Sequence, residues 1–105
     1  MNVLFICSLN RIRSLTAEQI FSRHPGLHVR SAGTQRNARV VLNSRLLSWA
    51  DTVFVMEREH KEKLEKDFPQ EVQEKKIIVL DIPNGFGYME PELIDMIERT
   101  VSEHI

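Results

Sequence analysis

Apolar residues gather in four short runs separated by helical spacings and turn residues. Val3-Leu4-Phe5-Ile6 has no polar position, the pattern of a strand buried on both faces. Leu27–Ser31 reads as a second strand, ending in the turn Ala32-Gly33-Thr34. Thr52–Met56 is rich in β-branched and aromatic residues and reads as a third, and Ile77–Leu80 as a fourth. Between them the period lengthens. Ser14 is placed to cap a helix running to Arg23, with Ala17, Ile20 and Phe21 on one face and His24-Pro25-Gly26 as its stop. Gln35–Val41 is irregular, and Asn43 or Ser44 can cap a short helix through Trp49. Glu57–Asp67 is a charged helix in which Glu57/Lys61, Glu59/Lys63 and Glu62/Lys66 stand four residues apart, acid first, and Phe68-Pro69 ends it. Asp81–Met89 is a loop, after which Pro91 opens a last helix with Leu93, Ile94, Ile97 and Val101 as its apolar face.

Strands alternating with helices predict right-handed crossovers and an α/β fold: a four-stranded, parallel, doubly wound sheet flanked by helices, in a single domain spanning 1–105. In such sheets ligands bind outside the carboxyl ends of the strands. Cys7 and Asp81 both follow predicted strands directly, so they fall on that edge. With 42% hydrophobic residues the composition is that of an ordinary globular chain, and no apolar run approaches a membrane span. The start lacks the basic region and long apolar stretch of a leader, and a lone cysteine makes no internal disulfide. A cytoplasmic location without a membrane partner is therefore expected.

Charge changes the picture more. Residues 1–50 hold seven arginines, no lysine and one acid, Glu18, whereas residues 51–105 hold seven bases and fourteen acids. Such segregation marks an anionic partner or two halves that pair in the fold. Arginine's planar fork suits phosphate oxygens.

The chemistry gathers at Cys7–Ser14. A loop between a strand and a helix can turn its N–H groups onto an anion, and the helix start adds partial positive charge, a field that favours a thiolate. Arg13 can grip two phosphate oxygens. Ser14 can hydrogen-bond the sulfur, and Asn10 suits a left-handed loop position. The four histidines, His24, His28, His60 and His104, show no metal-ligand spacing, and no metal or cofactor is expected.

These residues, Val3-Leu4-Phe5-Ile6-Cys7-x-x-Asn10-x-x-Arg13-Ser14-x-x-Ala17-Glu18, resemble the opening of the low-molecular-weight protein tyrosine phosphatases. Ser31-Ala32-Gly33-Thr34, Ala38-Arg39-x-Val41 and Asp51–Met56 resemble later segments in the same order. The resemblance implies hydrolysis of a phosphomonoester through a phosphocysteine. Cys7 is then the nucleophile, Ser8, Leu9, Asn10, Arg11, Ile12, Arg13 and Ser14 the phosphate-binding loop, and Asp81 the general acid. The substrate is a phosphorylated protein, with phosphotyrosine or another aryl phosphate foremost, or a small phosphoester, and inorganic phosphate is a product. Arg11, Phe86 and Tyr88 are expected to line the substrate cleft, and Trp49 to sit in the core.

The departures are specific. Asp81 is followed by Ile82-Pro83 where the family has proline directly, and Glu90 is the alternative acid. Leu9 replaces a glycine. Arg11 replaces the isoleucine of tyrosine-directed members or the threonine of arginine-phosphate-directed ones. The segment Gln35–Ala50 is short beside relatives that carry a further helix and an aromatic-bearing loop there. Two other readings stay open: the same chemistry on a nucleotide, RNA end or other polyanionic phosphate, and a phosphate-binding module without turnover. Ile12 replaces a second loop cysteine, leaving oxidised Cys7 no disulfide partner. Peroxide is therefore expected to inactivate Cys7 irreversibly more readily than in relatives, and complete recovery of activity on adding a thiol reductant after mild peroxide would contradict this.

Overall fold

The four apolar runs are strands, and every pairing between them is parallel. In the computed structural model, which describes residues 1–105, these are β1 (Asn2–Cys7), β2 (His28–Gly33), β3 (Thr52–Val55) and β4 (Lys76–Val79), in spatial order β2-β1-β3-β4. The helices are α1 (Arg13–Phe21), α2 (Ser44–Trp49), α3 (Arg58–Asp67), α4 (Pro69–Val72) and α5 (Pro91–Val101). The order reverses between β1 and β3, because the chain first moves outward to β2 and then back past β1. That reversal opens a crevice at the carboxyl ends of the two central strands. No helix is long and apolar enough to cross a membrane.

The alternation of β1 divides the core. Val3, Phe5 and Cys7 pack toward α1 and α5, with Phe54, Leu80, Ile82, Leu93 and Ile97. Leu4 and Ile6 pack on the other face with Leu47, Val53, Val55 and Leu64. Phe5 stacks between Phe21 and Phe54, with ring centroids 5.8 and 5.3 Å away. Each fully buried side chain of this kind contributes roughly 1.5–3 kcal/mol. The apolar face expected of the last helix is present: Leu93, Ile97 and Val101 are buried, and Ile94 is half-buried.

Several local expectations are corrected. Ser14 is not the cap of α1. The cap position is Ile12, without a capping side chain, and Ser14 lies inside the first turn with its hydroxyl turned to Cys7. β2 runs on through Gly33, because Gly33 continues to pair with Cys7 on one side and bridges Val41 on the other. Pro69 starts the short helix α4 immediately after ending α3. None of the three predicted pairs on α3 forms. Lys63 reaches forward to Asp67, and Glu57 turns away to Arg13. Exposed pairs of that kind are worth only a few tenths of a kcal/mol, so better partners displace them. Trp49 is half-buried instead of fully in the core, with the Arg30 guanidinium 4.5 Å from its ring centroid.

Gly33 is where the fold admits no side chain. A Cβ there would stand 2.5 Å from the Ser8 carbonyl oxygen and 2.6 Å from the Ala38 Cβ. Both neighbours are held by the backbone and cannot yield. Gly33→Ala is therefore expected to lower stability by about 1–3 kcal/mol in urea unfolding. Gly87→Ala, whose Cβ meets only Glu90 Oε1 at 3.8 Å, is the near-neutral comparison.

Candidate active site

The loop after β1 is held from behind. Thr34 N–H donates to the Cys7 carbonyl (3.0 Å), Gln35 N–H to Ser8 (3.1 Å) and Arg39 N–H to Leu9 (2.9 Å). The Arg39 Nε–H donates to the Asn10 carbonyl at 3.1 Å. Four successive carbonyls are thus drawn toward the segment after β2. Because a trans peptide holds N–H opposite C=O, the amides of residues 8–11 are turned the other way, away from that segment. The Asn10 N–H lies 3.2 Å from Cys7 Sγ. Asn10 reaches this geometry with φ 57°, the left-handed region its sequence character suggested. Leu9 does not take a positive φ, so replacing glycine there strains nothing.

Hydrogen-bond directions around the sulfur follow from counting protons. Asn10 Nδ2 donates both its hydrogens, to Ser14 Oγ at 2.7 Å and to Ser31 Oγ at 2.8 Å. The Ser31 hydroxyl then donates to Glu18 Oε1 at 2.6 Å. Ser14, already an acceptor, has one proton and two acceptors within reach, Cys7 Sγ at 3.0 Å and the Ala32 carbonyl at 3.5 Å, and the nearer sulfur takes it. The sulfur therefore accepts from an amide and a hydroxyl, the arrangement a thiolate requires. Cys7, Asn10, Ser14 and Ser31 are all buried.

Arg13 is buried too. Its Nη1 donates to Glu57 Oε1 and to the Ile82 carbonyl (2.8 Å), while Nε and Nη2 have no protein acceptor. Glu57 lies just after β3 and Ile82 just after β4, so the arginine is anchored across the crevice. Ser8 Oγ lies 2.9 Å from His60 Nε2. His60 Nδ1 accepts the Glu57 N–H at 3.0 Å, closing a capping box at the start of α3. That contact fixes the tautomer with the proton on Nε2, donated to Ser8. Glu57, Glu59 and His60 bring potential metal-binding atoms within 4.8 Å of one another. Both His60 nitrogens and the Glu57 carboxylate are already engaged, so the cluster serves as a hydrogen-bond network.

A pocket of about 180 Å³ opens over Cys7, lined also by Ser8, Leu9, Arg11, Ile12 and Arg13 from the loop and by Asn84 from the opposite side. All the expected loop residues meet here except Asn10 and Ser14, which support it from beneath. Arg11 is exposed at its edge. The other expectations are placed elsewhere. Asp81 does not line this pocket. It is exposed, with φ 57°, and faces a separate cleft of about 370 Å³ together with Glu57, Arg58, Glu59 and Pro83. The reason is pairing: Leu80 and Ile82 continue the ladder to β3 through Val55 and Met56 and are buried, leaving Asp81 between them turned outward. Phe86 packs against the core and Tyr88 is exposed, and neither lines the pocket. Glu90 is occupied by the Gly87 N–H.

Glu18, Ser31, Glu57, His60 and Asn84 were not singled out from the sequence. The spacing Glu57-x-x-His60 carries a capping signal, and Asn84-Gly85 reads as a turn.

No protein-family model matches the chain, and no curated protein matches it in sequence. Solved structures do. The tyrosine phosphatase Wzb from Escherichia coli K30, in complex with phosphate, superposes with a TM-score of 0.80 at 20% identity, over 97% of this chain and 94% of that one. The YwlE arginine phosphatase from Geobacillus stearothermophilus gives 0.77 at 22%, over 97% and 91%. A YwlE arginine phosphatase with its cysteine changed to serine, described as having a phosphorylated active-site serine, gives 0.64 at 21%, over 98% and 88%. The chain has the fold of the low-molecular-weight tyrosine and arginine phosphatases.

His60 is held neutral, its pKa lowered to about 4, first by burial and then by the Arg13 charge, with Glu57 opposing. The unfolded chain takes up this proton near the ordinary value of 6.5. Its contribution to stability is thus complete above that value, declines as pH falls, and is gone below about 4. The loss amounts to at most about 3 kcal/mol. His60→Asn should flatten the stability profile between those limits, measured by urea unfolding across a pH series.

Proposed function

We propose that this chain is a cysteine-dependent phosphohydrolase working through a phosphocysteine. The observation that carries the reading is the convergence of hydrogen-bond donors on Cys7: loop amides turned inward by their pinned carbonyls, and a Ser14 hydroxyl whose proton has no better acceptor. The likeness to phosphatase structures supports it, one of them solved with phosphate and one with a phosphorylated residue in place of the cysteine.

In this reading the phosphoryl group sits in the pocket over Cys7. The thiolate attacks phosphorus in line with the leaving group. The free Nε–H and Nη2–H groups of Arg13 and the amides of the loop hold the equatorial oxygens, whose charge grows in the transition state. Ser14 then stabilises the sulfur as it leaves in the second step, when water hydrolyses the phosphocysteine. Glu57 keeps the guanidinium in place without occupying the two groups the phosphate needs. Substrates in this reading are phosphorylated proteins or small phosphate compounds, with aryl phosphates as the first test, and inorganic phosphate is released.

With p-nitrophenyl phosphate, Cys7→Ser is expected to abolish turnover, Arg13→Lys to lower kcat/KM by at least about 100-fold, and Ser14→Ala to lower kcat by roughly 10-fold or more. Inorganic phosphate should inhibit competitively. Turnover that survives Cys7→Ser rejects the mechanism. Phosphate binding without Cys7-dependent turnover of any donor leaves a binding module.

A further inference from the structure

The pocket over Cys7 is lined by two arginines and one asparagine, and by no acidic residue. Arg13 and Arg11 come from the loop, and Asn84 from the segment after β4. Each nearby acid is directed elsewhere. Asp81 lines the neighbouring cleft, Glu57 is paired with Arg13, Glu18 accepts from Ser31, and Glu90 accepts from the Gly87 N–H. The one lining residue that does not come from the loop is thus an asparagine, whose amide can hydrogen-bond an oxygen but cannot protonate it.

Resting on the phosphocysteine reading, we propose that Asn84 and Arg11 make this site selective for phosphoryl donors whose leaving group departs as a stable anion, acyl phosphates foremost. In the first step the Cys7 thiolate forms the S–P bond while the P–O bond to the acyl oxygen breaks. The electron pair leaves with a carboxylate, and no proton is required. The Arg11 guanidinium and the Asn84 amide receive that anion. In the second step water forms a new O–P bond, the S–P pair returns to Cys7 as thiolate, and the proton lost by water resides on the departing phosphate. With no carboxylate to take that proton, this step is slow and phosphocysteine accumulates. Esters of basic alcohols and phosphoguanidines, whose leaving groups need a proton, are poor substrates here, since a positioned general acid contributes roughly 10²–10⁴-fold.

The test compares acetyl phosphate, p-nitrophenyl phosphate and phenyl phosphate in wild type, Asn84→Asp and Asp81→Asn. Peptide mass analysis confirms that Asn84, which precedes a glycine, has not deamidated. Wild type should give a burst of p-nitrophenolate equal to the enzyme concentration, and kcat/KM should fall at least about 100-fold from p-nitrophenyl to the more basic phenyl leaving group. Asn84→Asp should recover at least about 10-fold of that loss on phenyl phosphate, with a new acid limb in its pH profile and little gain on acetyl phosphate. Asp81→Asn should leave all three within about twofold. A shallow dependence on the leaving group, or a collapse on phenyl phosphate in Asp81→Asn, overturns the proposal while leaving the phosphocysteine reading intact. Absence of Cys7-dependent turnover of every donor, acetyl phosphate included, overturns both.

Discussion

The site depends on one close approach, that of Gly33 to the back of the loop following β1. There the backbone of one strand end lies against the Ser8 carbonyl with no room for a side chain. This contact lets residues 34–39 run alongside the loop and take hold of its carbonyls in succession. Once those carbonyls are engaged, the planar peptide leaves the intervening amides only one direction to face. The turn of the loop amides is therefore a consequence of sheet geometry, and no residue within the loop creates it alone. A leucine can replace a glycine at Leu9 for the same reason, since the loop's shape is imposed from outside.

Buried polar groups extend that logic inward. Asn10, Ser14 and Ser31 are almost wholly withdrawn from solvent, which would be costly unless each donor were used. Every hydrogen in the chain from Glu18 to Cys7 has a defined destination. The carboxylate at one end orders the hydroxyl beside it, and the order propagates through the Asn10 amide to the sulfur. Asn10 Oδ1 is the one buried side-chain atom of the chain left without a partner. Both hydrogens of the same amide are committed to the serines, so its orientation is fixed by what it donates.

How much of this was legible in the sequence depends on whether a residue acts locally. Val3–Ile6, the Cys7-to-Arg13 spacing and the helix behind it are short-range patterns, and from them the parallel sheet and the placing of Cys7 beside Arg13 at its carboxyl edge could be read. Asn43 was legible as one of two candidate caps, with Ser44, because its side chain reaches only three residues on, to the Leu46 N–H. Ser14 was misread as a cap because it stands at a helix start, while its actual partner lies across the loop. Glu57 looked like one member of a helical charge ladder until the fold brought Arg13 to it across the crevice. Only this ion pair joins the basic first half to the acidic second half. Segregated charge in the sequence therefore did not mean wholesale pairing in the fold.

Asp81 and Asn84 show the same limit at the point where chemistry is decided. Two residues separate them, and sequence favours the carboxylate because a carboxylate can act as an acid. The fold applies a different criterion. Leu80 and Ile82 must stay in the ladder and in the core, so the residue between them faces outward, and the chain crosses back toward Cys7 only after Pro83. A side chain's reach into the pocket is thus set by its phase relative to β4, whatever its chemical suitability. The asparagine that arrives there lines the same pocket as Arg11, so in the proposed reaction the residues bordering the leaving group offer positive charge and hydrogen bonds without a proton to give. Those are the properties a departing anion needs, and they coincide because the loop from Cys7 and the segment after β4 meet at the carboxyl edge of the sheet.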